Sequence, residues 1–225
     1  MSLRVSLFTF FWGLPAIFSV GLLPLQAEER YALPRSWDDL GEINRWTFSS
    51  GAAVITSNTI DELLRGSFQR TRGEAGGMLY LIGASYTLVE PEITFQERSF
   101  FPQFEAVAVA GLTNENGRSS FREWHLGTSL RWKDFPWNDF VYTNFETGVG
   151  FSYLEKIYLI EEERHPDRSR SHLRFYWPIE VSLAHPNHRE HQFRLFIHHT
   201  SGGRLLQKGG SNHVGIGYRY VFGER

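Results

Sequence analysis

The chain has 225 residues, 41% of them hydrophobic, with a net charge of -2, which is enough apolar material for one or two folded domains and argues against disorder. With 23 Lys+Arg against 25 Asp+Glu, no basic surplus exists to displace counterions from phosphates, so nucleic acid is excluded as a partner. Aromatic residues at 16%, 21 glycines and 0 cysteines point to many strands with tight turns and to neither disulfides nor a thiolate metal site. A mean hydropathy of -0.32 argues against a bundle of membrane helices. It leaves a membrane β-barrel open, because lipid-facing and lumen-facing residues alternate and cancel in the average.

Met1–Arg4 make a short positive start, Val5–Leu25 are almost wholly apolar, and Leu25-Gln26-Ala27 precedes Glu28-Glu29-Arg30. This pattern predicts a signal peptide over 1–27, cleaved after Ala27; Pro15, Pro24, Gly13 and Gly21 speak against an uncleaved anchor. Residues 28–44 are polar and proline-containing and read as a periplasmic extension.

From Trp46 onward the apolar period is two. Leu173, Phe175, Trp177, Ile179, Val181 and Leu183 alternate with Arg174, Tyr176, Pro178, Glu180, Ser182 and Ala184. Trp124–Trp132, Val141–Tyr153 and Val214–Phe222 repeat the pattern. The alternation persists for about nine to twelve residues, the length a tilted strand needs to cross a bilayer, and aromatics gather at the ends of the apolar face. The other face carries glycine and mixed charge, including Glu123, Arg131, Glu146, Arg174, Glu180, Arg194 and Arg219, which a narrow barrel would pair in its lumen.

Eight strands follow, over 45–56, 76–88, 103–112, 119–132, 139–153, 172–184, 191–200 and 212–222. The predicted fold is all-β, an eight-stranded antiparallel up-and-down transmembrane barrel over 45–225, in the bacterial outer membrane. With both barrel ends of the chain in the periplasm, 57–75, 154–171 and 201–211 lie outside, while Lys133–Asn138 and His185–Glu190 are short inner turns. The 89–102 connection is longer than an inner turn should be. Asp61–Arg65 predicts one helical turn in the first outer loop.

The densest chemical cluster is Phe196-Ile197-His198-His199-Thr200-Ser201-Gly202-Gly203, closing the seventh strand. Residues i and i+2 share a strand face, so His199 and Ser201 face lipid near the outer rim, and His198 faces the lumen, where Glu180 or Glu146 is its expected partner. A histidine beside a serine can act as its base, and Gly202 or Gly203 can offer backbone N–H groups to an oxyanion. The other histidines lack ligand spacing, and no metal or cofactor is expected.

A leader, eight alternating strands, a penultimate strand ending His-x-Ser and a last strand ending Gly217-Tyr218-Arg219-Tyr220-Val221-Phe222 together resemble the PagL-type lipid A deacylases, the acyloxyacyl hydrolase-like outer-membrane barrels. The resemblance is specific over about 193–222 and architectural before that. It implies an esterase that removes an ester-linked acyl chain from lipid A, with Ser201 as nucleophile and His199 as base. The family pattern has Asn directly after the serine, where this chain has Gly202, and an acid before or within the last strand, where 202–223 contain neither Asp nor Glu. Asn212 then stands as an oxyanion or orienting candidate beside His213, unless an acid arrives from another strand. The partners implied are lipid A or another outer-leaflet lipid, the outer membrane, and a second copy of the chain in a homodimer. The alternative is a noncatalytic small barrel serving as anchor, adhesin or envelope-stability protein.

Overall fold

A computed structural model describes residues 45–225, apart from 96–97, 165, 168, 204, 207–208 and 224–225. The expected leader (1–27) and periplasmic extension (28–44) lie outside the described residues. Eight antiparallel strands close on themselves: β1 (Trp46–Thr56), β2 (Gly77–Val89), β5 (Gln103–Glu115), β6 (Phe121–Trp132), β7 (Tyr142–Leu154), β8 (Leu173–Ala184), β9 (His191–Ser201) and β10 (Gly210–Val221). Barrel neighbours pair throughout, and β1 pairs with β10 to complete the ring, so the barrel itself has no open edge. The long 89–102 connection holds a separate short hairpin, β3 (Ile93–Phe95) with β4 (Arg98–Phe100). The first outer loop carries α1 (Ile60–Leu64), and the 155–172 loop carries a second helix, α2 (Leu159–Arg164), that the alternation pattern did not signal.

The outward face is an apolar band: Ile82, Leu126, Val149 and Ile216 are each more than half exposed. Aromatics bracket it, with Trp124 and Tyr153 at the outer level (ring centroids 6.0 Å apart) and Trp46, Phe48, Tyr86 and Phe222 at the inner one. This is the inverse of a soluble lipid carrier, whose apolar side would be hidden. No helix among the described residues is long and apolar enough to cross a membrane; the strands do so.

The lumen is solid and layered. All seven charges expected to point inward are buried. In the inner half five of them, joined by Glu105, form one chain: Glu105–Arg131 (3.0 Å), Arg131–Glu146 (3.4 Å), Glu146–Arg219 (2.5 Å), Arg219–Glu180 (2.7 Å) and Glu180–Arg194. Alternating sign around a narrow tube lets each guanidinium see a carboxylate, which is the condition for keeping charge in a low dielectric. Above it, Phe196 fills the tube because Gly51 faces it without a side chain; a Cβ there would come within 2.8 Å of the ring.

The outer half mixes histidine and tyrosine with a second set of buried charges, Glu115, Glu123, Glu161 and Arg174. His125 stacks on Tyr176 (4.4 Å) and bonds Ser152 through Nδ1 (2.5 Å), and His198 bonds the Tyr176 hydroxyl through Nε2 (3.0 Å). His198 therefore takes a phenol rather than the expected Glu180 or Glu146, since both carboxylates are already claimed by arginines. Arg174 likewise pairs not with a strand carboxylate but with Glu161 of α2. The loop carrying α2 plugs the outer mouth. Ile160 and Tyr158 pack with Ile55, Ala75, Phe121 and Leu154, and the Tyr158 hydroxyl reaches Glu123 at 2.7 Å. Burial and the Glu123 carboxylate hold that phenol well above its ordinary titration range, so Tyr158 remains a proton donor.

Candidate functional site

The last turn of alternation in β9 settles which side chains leave the barrel. Gln192, Arg194, Phe196, His198 and Thr200 are buried in the lumen, while Phe193, Leu195, Ile197, His199 and Ser201 lie on the outer wall, the last three half-buried. His199 and Ser201 thus share the outward face at the strand's outer end. Two residues along a strand, their Cα atoms are about 6.6 Å apart, within the joint reach of an imidazole and a hydroxymethyl.

Strand register selects the neighbours. His199 lies opposite Trp177 on β8 and Asn212 on β10; Ser201 lies opposite Phe175 and Gly210. Trp177 meets the imidazole edge to face, with ring centroids 6.1 Å apart. Asn212 is 5% exposed, its outward side chain covered by the first outer loop, whose Asn58 carbonyl accepts the Asn212 Nδ2–H at 2.8 Å. That bond fixes the amide's orientation and turns Oδ1 toward His199, where it meets Nδ1 at 2.6 Å. An amide oxygen can only accept, so Nδ1 carries the proton and Nε2 is left with its lone pair. This is the tautomer a general base needs.

Other features differ from the expected arrangement. No hydrogen bond joins the His199 ring to the Ser201 hydroxyl among the described residues, and no carboxylate bonds His199; the amide stands where an acid was sought. Asn212 engages the imidazole and is not turned toward an oxyanion position. The Gly202 N–H is committed to the Gly209 carbonyl at 3.2 Å, so it is not presented to a bound carbonyl. Gly203 has φ +58 and sits against Phe175, where a Cβ would come within 2.7 Å of the ring; only glycine satisfies both conditions. Beside Ser201 the apolar wall continues through Phe175 and Phe151, whose rings are 5.5 Å apart, a surface suited to an acyl chain. Sequence alternation found the histidine and the serine. The Asn58–Asn212 bond was out of its reach, because it joins residues 154 positions apart.

A filled eight-stranded barrel with an apolar belt, aromatic girdles and a polar lumen defines a class: the small β-barrels of the bacterial outer membrane, which is where this protein resides. No known family profile matches the chain, and no curated protein sequence does. Among solved structures it is similar to the outer membrane enzyme PagL, at 15% identity and a TM-score of 0.53, covering 77% of this chain and 98% of that one. It also resembles Neisserial surface protein A (11% identity, 80% and 97% covered, TM-score 0.45) and the outer membrane protein OprG from Pseudomonas aeruginosa (10%, 78% and 95%, 0.36). At these identities the likeness is one of fold.

Proposed function

We propose that the protein is an outer-membrane esterase of the lipid A deacylase type. The observation that carries this reading is the Asn58–Asn212–His199 relay, which leaves Nε2 unprotonated on the same outward face as Ser201. In the reaction, Ser201 Oγ attacks the ester carbonyl of an outer-leaflet lipid while His199 Nε2 takes its proton. The tetrahedral oxyanion collapses, and the same proton passes to the departing alkoxide. Water, deprotonated by His199, then releases the fatty acid from Ser201. Asn212 plays the orienting part usually given to a carboxylate, holding the ring and its tautomer without adding charge. Lipid A fits because the site opens on the outer leaflet; a neutral amide partner fits because a buried carboxylate there would need a countercharge.

A noncatalytic reading is favoured by the lack of a His199–Ser201 hydrogen bond and by the committed Gly202 N–H. In that case the wall is an anchor and the outer loops do the work. Mass spectrometry of lipid A from cells expressing the wild-type chain or Ser201→Ala separates the two. Loss of one acyl chain with the wild type alone supports the esterase; identical spectra leave the anchor.

A further inference from the structure

At the opposite rim a cleft of about 460 Å3 opens where the β3–β4 hairpin, the β6–β7 connection and the β8–β9 turn meet. None of its lining belongs to the wall around Ser201. Three cations reach it from three segments: Arg98 from β4, Lys133 just after β6, and Arg189 from the β8–β9 turn. Arg98 forms no hydrogen bond or ion pair with any described residue. Arg189 gives its Nε–H to the Pro186 carbonyl at 3.0 Å and lies over the Tyr142 ring at 5.1 Å, so both terminal nitrogens have no partner among the described residues. Lys133 is shared with Glu90 at 2.7 Å. Among the described lining residues the three cations outnumber the one acid, Asp134, whose carboxylate accepts the Phe101 N–H at 2.7 Å, so that lining is net positive.

Its position says what kind of anion it meets. Phe100 of the lining packs on Trp132 with centroids 5.2 Å apart, and Trp137 and Phe140 beside it are 48% and 85% exposed. Large exposed aromatics at the periplasmic end of the strands lie at headgroup depth, where the inner leaflet consists of glycerophospholipid. A guanidinium pair held at that depth above an apolar wall matches a phosphate carrying acyl chains. We infer that this cleft binds the phosphate of an anionic inner-leaflet glycerophospholipid between Arg98 and Arg189, with the chains lying along Phe100, Trp132 and Phe140.

The test uses the exported protein in a nonionic detergent, titrated with dioleoylphosphatidylglycerol and read by native mass spectrometry. One lipid should be retained, and Arg98→Gln/Arg189→Gln should weaken it roughly a hundredfold, since each lost charge-assisted contact is worth about one decade. Ser201→Ala, at the far end, should bind as the wild type does. Arg98→Gln alone removes a side chain with no partner among the described residues, so it reports on binding even where the double variant folds poorly. Unchanged retention in Arg98→Gln and the double variant would overturn the inference, as would equal retention of dioleoylphosphatidylcholine. Displacement of the lipid by millimolar inorganic phosphate would assign the cleft to a free anion and overturn the lipid source.

Discussion

Replacing Glu180 with leucine removes the carboxylate shared by Arg219 (2.7 Å) and Arg194. The two arginines are not equally hurt. Arg219 keeps Glu146 at 2.5 Å, whereas Arg194, 6% exposed, keeps the Phe196 ring at 4.8 Å and no bonded carboxylate among the described residues. The cost is therefore that of one orphaned buried cation, about 3–5 kcal/mol. With an unfolding slope of about 2 kcal/mol per molar urea, the midpoint should fall by about 1.5–2.5 M. The assay is urea unfolding of barrels refolded in lipid vesicles, followed by the fluorescence of the tryptophans. Glu180→Leu/Arg194→Met should recover most of the loss, because a barrel missing both charges strands neither. A midpoint unmoved by Glu180→Leu, or a double variant no better than the single one, would refute the linked-chain account of the lumen.

At the outer wall, Ser201→Ala and His199→Ala should each abolish acyl release while the folded gel mobility is kept, whereas His198→Ala, removing the Tyr176 partner, should lower the unfolding midpoint and spare chemistry. Asn212→Ala should reduce turnover by about 10²-fold at unchanged fold, since the imidazole loses its tautomer and its aim; a rate equal to wild type would remove Asn212 from the mechanism. In α1, the Thr59 backbone N–H bonds the Glu62 carboxylate at 2.9 Å and holds it below its ordinary value of 4.5. A depressed acid stabilises above its unfolded pKa and loses that contribution as pH falls through the folded one. Hydrogen-exchange protection of Leu63–Ser67 should accordingly drop below about pH 4.5, and Glu62→Gln should blunt the change.

Strands read well from sequence because a period of two, sustained over a bilayer's width, admits few other solutions. Every barrel strand falls within three residues of its expected limits at each end. Contacts across strands did not read as well. Alternation places His198 and Glu180 on the same inner face, but their heights along the tube depend on register, which puts Glu180 at the arginine chain and His198 beside Tyr176. The plug was hidden for another reason. Leu159–Arg164 is one short turn of helix whose only apolar anchors, with Tyr158, act through the barrel mouth, so its local sequence resembles any charged loop. Asn212 was visible as a candidate, while its role rests on Asn58, a residue in a loop without periodic signal.

The outward placement of His199 on a filled barrel also fixes how a lipid ester would arrive at it. With arginines and carboxylates filling one half of the tube and Tyr158 with Ile160 closing its mouth, there is no axial route. A molecule must come sideways, diffusing in the plane of the leaflet, and the quantity that governs encounter is its mole fraction among the lipids rather than its molarity in the bulk. Saturation curves for this wall would collapse onto one line only when plotted against surface composition, and diluting the vesicles at fixed composition would leave occupancy unchanged.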